Sequence, residues 1–255
     1  VVKDHRVMSS GAEDEDFLTF GGHLDVLRRM LMRTSMIVVV VGLAVFAFKD
    51  EVFNILLFPC HGGLIPMATD IKLIATDIST QFVAHISMSI YVGLLISSPY
   101  VMYELFRFVS PALYDNERRY SITFTIILYV LFILGVVLSY FVIFPFSCQF
   151  LANYSVSQQV TTMVTLDSYL SMFISMSLTM GVVFELPIVS FLLAKWGLLA
   201  PSTMRKYRRH AFVIILLLAA IITPPDATTL FLMSIPLYVL YEISVIVVSL
   251  TDKHK

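Results

Sequence analysis

Charge is scarce in this chain. Only 14% of its 255 residues are Asp, Glu, Lys or Arg, against 58% hydrophobic, and the mean hydropathy is +0.86. So little charge cannot cover a water-soluble globule with that many apolar side chains, and the excess must face lipid. Cysteine is rarer still, at 2 residues, which excludes a disulfide network and a multi-cysteine zinc site. The six histidines are scattered and share no metal-ligand spacing, so neither a metal nor a cofactor is expected. None of the 10 glycines builds a phosphate loop, a dinucleotide fingerprint or a serine nucleophile elbow, so enzymatic activity is not expected. A net charge of -1 and a pI near 6.6 give no reason to expect nucleic acid as a partner. The start also lacks a basic stretch, a short apolar run and a small-residue cleavage site in succession, so the first apolar window is expected to be a retained span.

What the chain has is long apolar runs. A helix rises ~1.5 Å per residue, so roughly 20 residues cross a hydrocarbon core of about 30 Å. The charges leave windows near 30–48, 78–103, 120–145, 168–194, 210–225 and 227–250, which predicts an all-α polytopic membrane protein with six transmembrane helices. Residues 1–20 and 251–255 read as polar tails around a membrane domain over 21–250. Lys49, Asp50 and Glu51 close the first window, and Glu104 and Arg107 the second. The uncharged polar stretch between Phe146 and Leu166 reads as a water-exposed loop. The last two windows meet at Thr223-Pro224-Pro225-Asp226, a breaker suited to a tight hairpin. The fifth and sixth helices are expected to be short. The fifth spans only ~24 Å, which calls for tilted neighbours, snorkelling flanks or a thinned bilayer.

Basic residues mark the cytoplasmic side of short loops. On the predicted topology 15 of the 17 Lys and Arg fall on one side, and only Lys49 and Lys72 on the other. Both termini are therefore expected in the cytoplasm. Cys60 and Cys148 then share the extracytoplasmic end, where a single pair leaves both a disulfide and two unpaired thiols open.

Polar groups in or beside the spans carry the remaining information. In Gly22-His23-Leu24-Asp25-Val26-Leu27-Arg28-Arg29, Leu24, Leu27 and Leu31 share one helical face and Asp25 can pair with Arg28 or Arg29. This predicts a helix at the cytoplasmic surface, either an ordinary positive anchor or part of a binding surface. In the first inner loop Pro111 ends the second span, and Glu117, beside Arg118 and Arg119, is either a helix-terminal charge or a carboxylate that can hold a guanidinium bidentately. Phe184-Glu185-Leu186-Pro187 puts an acid inside the fourth span, as a functional group or as a neutral Glu bonded to carbonyls that Pro187 frees. Asp77, Asp167 and Asp226 are expected to cap the second, fourth and sixth spans.

Together these segments resemble the TatC family of the twin-arginine protein translocase. The resemblance is carried by His23-Leu24-x-x-Leu27-Arg28, Pro59, Ala75-Thr76-Asp77, Phe108-x-x-Pro111-Ala112-Leu113-Tyr114-x-x-Glu117-Arg118-Arg119, Phe144-Pro145, Phe184-Glu185-x-Pro187, Thr223-Pro224-Pro225-Asp226 and Pro236. These stand in the family's order from about residue 20 to 250.

The resemblance implies a multi-pass receptor in the cell inner membrane. Such a receptor recognises twin-arginine signal peptides and moves folded proteins with TatA- and TatB-type single-span partners in an oligomeric complex, drawing on the proton-motive force. By position, Glu117 would hold the arginine pair, with Phe108, Arg118, Arg119, Leu24, Asp25 and Arg28 around it. Glu185 would be the polar group of a concave membrane face, and Thr223, Pro224, Pro225 and Asp226 would lie where partners dock, while Pro59, Asp77, Pro111 and Pro187 are structural. The chain departs from the family at Val26, where an acid is usual. Asp25 stands one residue earlier, turned ~100° around the helix, and ranks below Glu117. A proton-coupled secondary transporter using Glu185 is the competing expectation, although the two halves show no convincing repeat.

Overall fold

The computed structural model describes residues 20–61, 72–109, 121–155, 157, 163–223 and 226–252. Helix α1 (Phe20–Phe46) is followed by α2 (Lys49–His61), strand β1 (Leu73–Ile74) and α3 (Thr80–Val109). Then come α4 (Ser121–Leu138), a π-helical turn (Ser139–Ile143), α5 (Phe144–Asn153) and β2 (Val164–Thr165). The chain continues as α6 (Leu166–Val183), α7 (Leu186–Lys195), α8 (Pro201–Lys206), α9 (Arg208–Ile222) and α10 (Ala227–Asp252). Among the described residues, five stretches are long and apolar enough to cross a membrane: Leu24–Phe46, Thr80–Phe108, Ile122–Asn153, Leu166–Lys195 and Ala227–Thr251. The molecule is thus a mostly helical, multi-pass membrane protein.

Several expectations change. The surface helix and the first span are one continuous helix, α1, with no proline between Phe20 and Phe46 to break it. Helix α2 lies where only a loop was expected. Val52 and Leu56, four residues apart, bury one face of it. The sixth helix is not short, since α10 runs 26 residues, whereas α9 has only 15 and falls below the length of the five spans. The expected loop after Phe146 is helical as far as Asn153. Proline at position 145 has no N–H for the carbonyl four residues back, and the π turn just before it widens the helix enough to accommodate the mismatch.

Pro99 is tolerated inside α3 for a related reason. It leaves the Leu95 carbonyl without its helical donor, and the Ser98 hydroxyl donates to that oxygen at 2.7 Å. Pro59 near the end of α2 similarly frees the Ile55 carbonyl, which accepts from the Tyr140 hydroxyl at 2.5 Å. Tyr169 donates to the next carbonyl, Leu56, at 3.0 Å. Two tyrosines from the π turn and α6 thereby fasten α2 to the bundle.

The main core gathers Leu56, Met88, Phe144, Phe173, Met176, Met180 and Met233, each fully buried, from α2, α3, α5, α6 and α10. Helices α1 and α3 approach through glycine. A Cβ on Gly93 would sit 2.7 Å from the Gly42 Cα, a spacing that only the absent side chain permits. At one end of the bundle β1 and β2 pair in parallel, Leu73 with Val164 and Ile74 with Thr165, joining the segments that lead into α3 and α6.

Candidate functional site

Helices α1 and α3 pair antiparallel. The Phe46 ring stacks on His85 at 4.0 Å, Gly42 lies against Ser89, and Gly93 faces the Val38 carbonyl, so residue numbers fall along α1 as they rise along α3. Continued in this register, the first turns of α1 come alongside the last turns of α3. Leu24, Asp25 and Arg28, all exposed, thus share one end of the bundle with half-buried Phe108. Asp25 forms no ion pair with Arg28 or Arg29 among the described residues, so it is not neutralised by its own helix. Glu117, Arg118, Arg119 and Pro111 lie outside the described residues, in the segment that leaves α3 at this same end.

Glu104 joins this region without having been singled out from sequence, where it served only to close a span. It is buried, at 6% exposure, and its carboxylate accepts from the Tyr100 hydroxyl at 2.8 Å. The spacing of the two residues, one helical turn apart, was the available signal.

Glu185 occupies the break between α6 and α7. Its backbone carbonyl receives the N–H groups of Ile188 and Val189, each at 3.0 Å, and so starts α7, while Pro187 fits the second helical position, where an N–H has no intrahelical partner. The side chain does not cap the helix. Both carboxyl oxygens are buried without a hydrogen-bond partner among the described residues, so the alternative of a Glu bonded to carbonyls freed by Pro187 is not what the structure shows. Beside it, Phe184, Pro187, Ile188 and Phe191 line a wholly apolar cavity of about 430 Å³ with Phe124 of α4 and Leu240 of α10. The break therefore presents an acid next to a concave apolar surface between helices.

The final hairpin is built around Asp226. Its Oδ1 accepts from the Thr229 N–H at 2.7 Å and its Oδ2 from the Thr229 hydroxyl, an N-cap for α10 as expected. Thr223 ends α9, its hydroxyl donating to the Ala219 carbonyl at 2.9 Å. Pro224 and Pro225 lie outside the described residues. At the other end of the pair Arg208 meets Glu242 at 2.7 Å, and Tyr241 donates to the Met204 carbonyl at 2.8 Å, which joins the basic α8–α9 corner to the later turns of α10.

The other two expected caps differ. Thr165, not Asp167, caps α6, accepting from the Ser168 N–H at 3.3 Å. At α3 the bond runs from the Asp77 N–H to the Thr80 side-chain oxygen at 3.2 Å, so the Asp77 backbone rather than its carboxylate shapes that entry. The aspartates misled because Thr165 and Thr80 offer equally good short oxygens at neighbouring positions. Cys148 is buried in the core. The side chain of Cys60 lies outside the described residues, and with it the question of their pairing.

The same arrangement of helices occurs elsewhere. A solved structure described as the crystal structure of the twin arginine translocase receptor TatC matches with a TM-score of 0.78 at 32% identity, covering 90% of this chain and 99% of its own. Among sequences, the Sec-independent protein translocase protein TatC of Desulforapulum autotrophicum is 36% identical over 245 residues, which span 96% of this chain and 89% of that one. Its counterpart in Escherichia coli strain K12 is 33% identical over 223 residues, 88% of this chain and 85% of that one. The family model for TatC, the Sec-independent protein translocase protein, matches residues 22–236. Agreement in sequence over nearly the whole length, on the same helical frame, decides the matter: this chain belongs to the TatC family of protein translocase components.

Proposed function

We propose that this chain is the signal-peptide receptor of a twin-arginine translocase in a cell inner membrane, with six spans and both termini in the cytoplasm. The observation that supports it best is the antiparallel register of α1 and α3. That register sets Leu24, Asp25 and Arg28 at the same end of the bundle as Phe108, after which the segment bearing Glu117, Arg118 and Arg119 follows. A paired-arginine ligand needs a carboxylate at such a surface, and Glu117 is the residue assigned to hold it. Leu24, Val26 and Leu31 are exposed on α1 and suit the apolar stretch of the peptide.

Counting α9 as a span, the fifth in chain order, brings the total to six, and the pairing of Arg208 with Glu242 sets it antiparallel to α10. Glu185 is assigned to the concave membrane face, and Thr223 to Asp226 to the docking of TatA- and TatB-type single-span partners in an oligomer driven by the proton-motive force. The family found here is a translocase rather than a solute carrier, so the transporter alternative for Glu185 is not retained.

Site-specific photocrosslinking of a precursor with a twin-arginine signal is the test. Glu117→Ala is expected to abolish the crosslink while the protein stays inserted and folded. Unchanged crosslinking would remove the assignment.

A further inference from the structure

A cavity of about 790 Å³ opens at the opposite end of the α1–α3 pair, where α1 turns into α2. Its walls are Phe53 and Leu57 of α2, Leu73 and Ile74 of β1, Phe82 of α3 and Leu166 of α6. Ala75, Gln81 and three basic side chains, Lys49, Lys72 and His85, complete the lining. The two lysines are the basic residues that charge asymmetry assigns to this end, and both reach the same hollow. The described acids nearby, Asp50, Glu51 and Asp77, do not line it. Among the described residues, two cations thus face one cavity without a carboxylate in its wall.

His85 is the unusual member. It is 8% exposed, stacked on the Phe46 ring at 4.0 Å and tilted against that of Phe53 at 6.0 Å. Its Nε2 is buried and has no hydrogen-bond partner among the described residues. A polar nitrogen left this way costs free energy unless something in the cavity bonds to it. The surroundings say what that something is. Phe48, Ile78, Phe82 and Val83 at the ends of α1 and α3 are all exposed, so the mouth of the cavity lies at the end of two lipid-facing spans.

We infer that this cavity is a binding site for the phosphate headgroup of an anionic membrane lipid. Lys49 and Lys72 neutralise the phosphate, the His85 Nε2 hydrogen-bonds an oxygen of the headgroup, and the acyl chains run out over Phe82 and Val83. The wall is rigid enough to hold such a ligand, because Tyr140 and Tyr169 fasten the carbonyls of α2 on its far side. The site stands apart from the signal-peptide surface and does not depend on it.

Native mass spectrometry of the detergent-solubilised full chain tests this, with phosphatidylglycerol, phosphatidylcholine and inorganic phosphate as separate probes. One phosphatidylglycerol should be retained about tenfold more tightly than phosphatidylcholine, the scale of one charge-assisted hydrogen bond. Lys49→Gln with Lys72→Gln should remove that preference, Lys49→Arg with Lys72→Arg should keep it, and His85→Phe, which retains the ring stack, should weaken it several-fold. Lys195→Gln, on α7, should change nothing. Equal retention of phosphatidylglycerol by wild type and the double Gln variant overturns the site. Inorganic phosphate binding as tightly as the lipid overturns the lipid assignment.

Discussion

Tyr91 of α3 and Ser177 of α6 share a buried hydrogen bond, hydroxyl to hydroxyl at 2.5 Å, across 86 residues of sequence. Around them the packing is apolar and aromatic, with the Tyr91 ring edge-on to Phe173 at 5.4 Å. The two buried hydroxyls satisfy one another. Ser177→Ala should therefore leave the Tyr91 hydroxyl unpaired and lower stability by about 1 kcal/mol. Adding Tyr91→Phe should restore part of the loss. Thermal unfolding of the single and double variants in one detergent measures both effects, and strictly additive losses would show that the pair is not coupled.

Gly93→Val should force α1 away from α3, since its Cβ would meet the Gly42 backbone rather than a side chain able to move. The expected loss is about 1–3 kcal/mol, typical of overpacking a tight contact. The same shift would displace Leu24 and Arg28 from the end of α3. Reduced signal-peptide crosslinking, alongside a lower unfolding temperature, is the combined readout.

Asp226 has two roles to separate. Asp226→Ala should cost about 0.5–2 kcal/mol through the lost cap on α10, while Asp226→Asn keeps an oxygen for the Thr229 N–H and should cost little. If partner docking needs the charge itself, Asn will unfold like wild type yet fail to export a folded reporter. Equal export by wild type and Asn would leave Asp226 with its capping role only.

Glu185→Met replaces two buried, unpartnered oxygens by an apolar chain of similar length beside an apolar cavity. Stability should rise, by about 1 kcal/mol or more, while export falls. A loss of stability would show that the carboxyl is bonded after all. Thermal unfolding and export of a folded reporter, measured on the same variant, read the two effects separately.

The motifs at the ends of the α1–α3 pair were legible as residues but not as a surface. Leu24 and Phe108 are more than 80 positions apart, and the Gly42–Gly93 contact and the Phe46–His85 stack set the register that joins their ends. The break at Glu185 was half legible. Pro187 announced an irregularity, yet proline is equally at home inside a continuous helix, as Pro99 and Pro236 are. Helix α2 was missed because Lys49, Asp50 and Glu51 look like the end of a span, and its Val52 and Leu56 need the tyrosines of distant helices to make a buried face.

By itself the sequence determined that the chain lives in a membrane, roughly where its spans lie, and which family it belongs to. Each of these follows from local quantities: the length of an apolar run, the placement of charges and the order of short motifs. The tertiary structure alone decided which polar groups share an end of the bundle, which carbonyl each tyrosine satisfies, and where Lys49, Lys72 and His85 face one cavity. Those depend on the approach of helices far apart in the chain. In a medium with no water to accept a stray hydrogen bond, the approach is set by packing and by polar partners from distant segments, which no local pattern encodes.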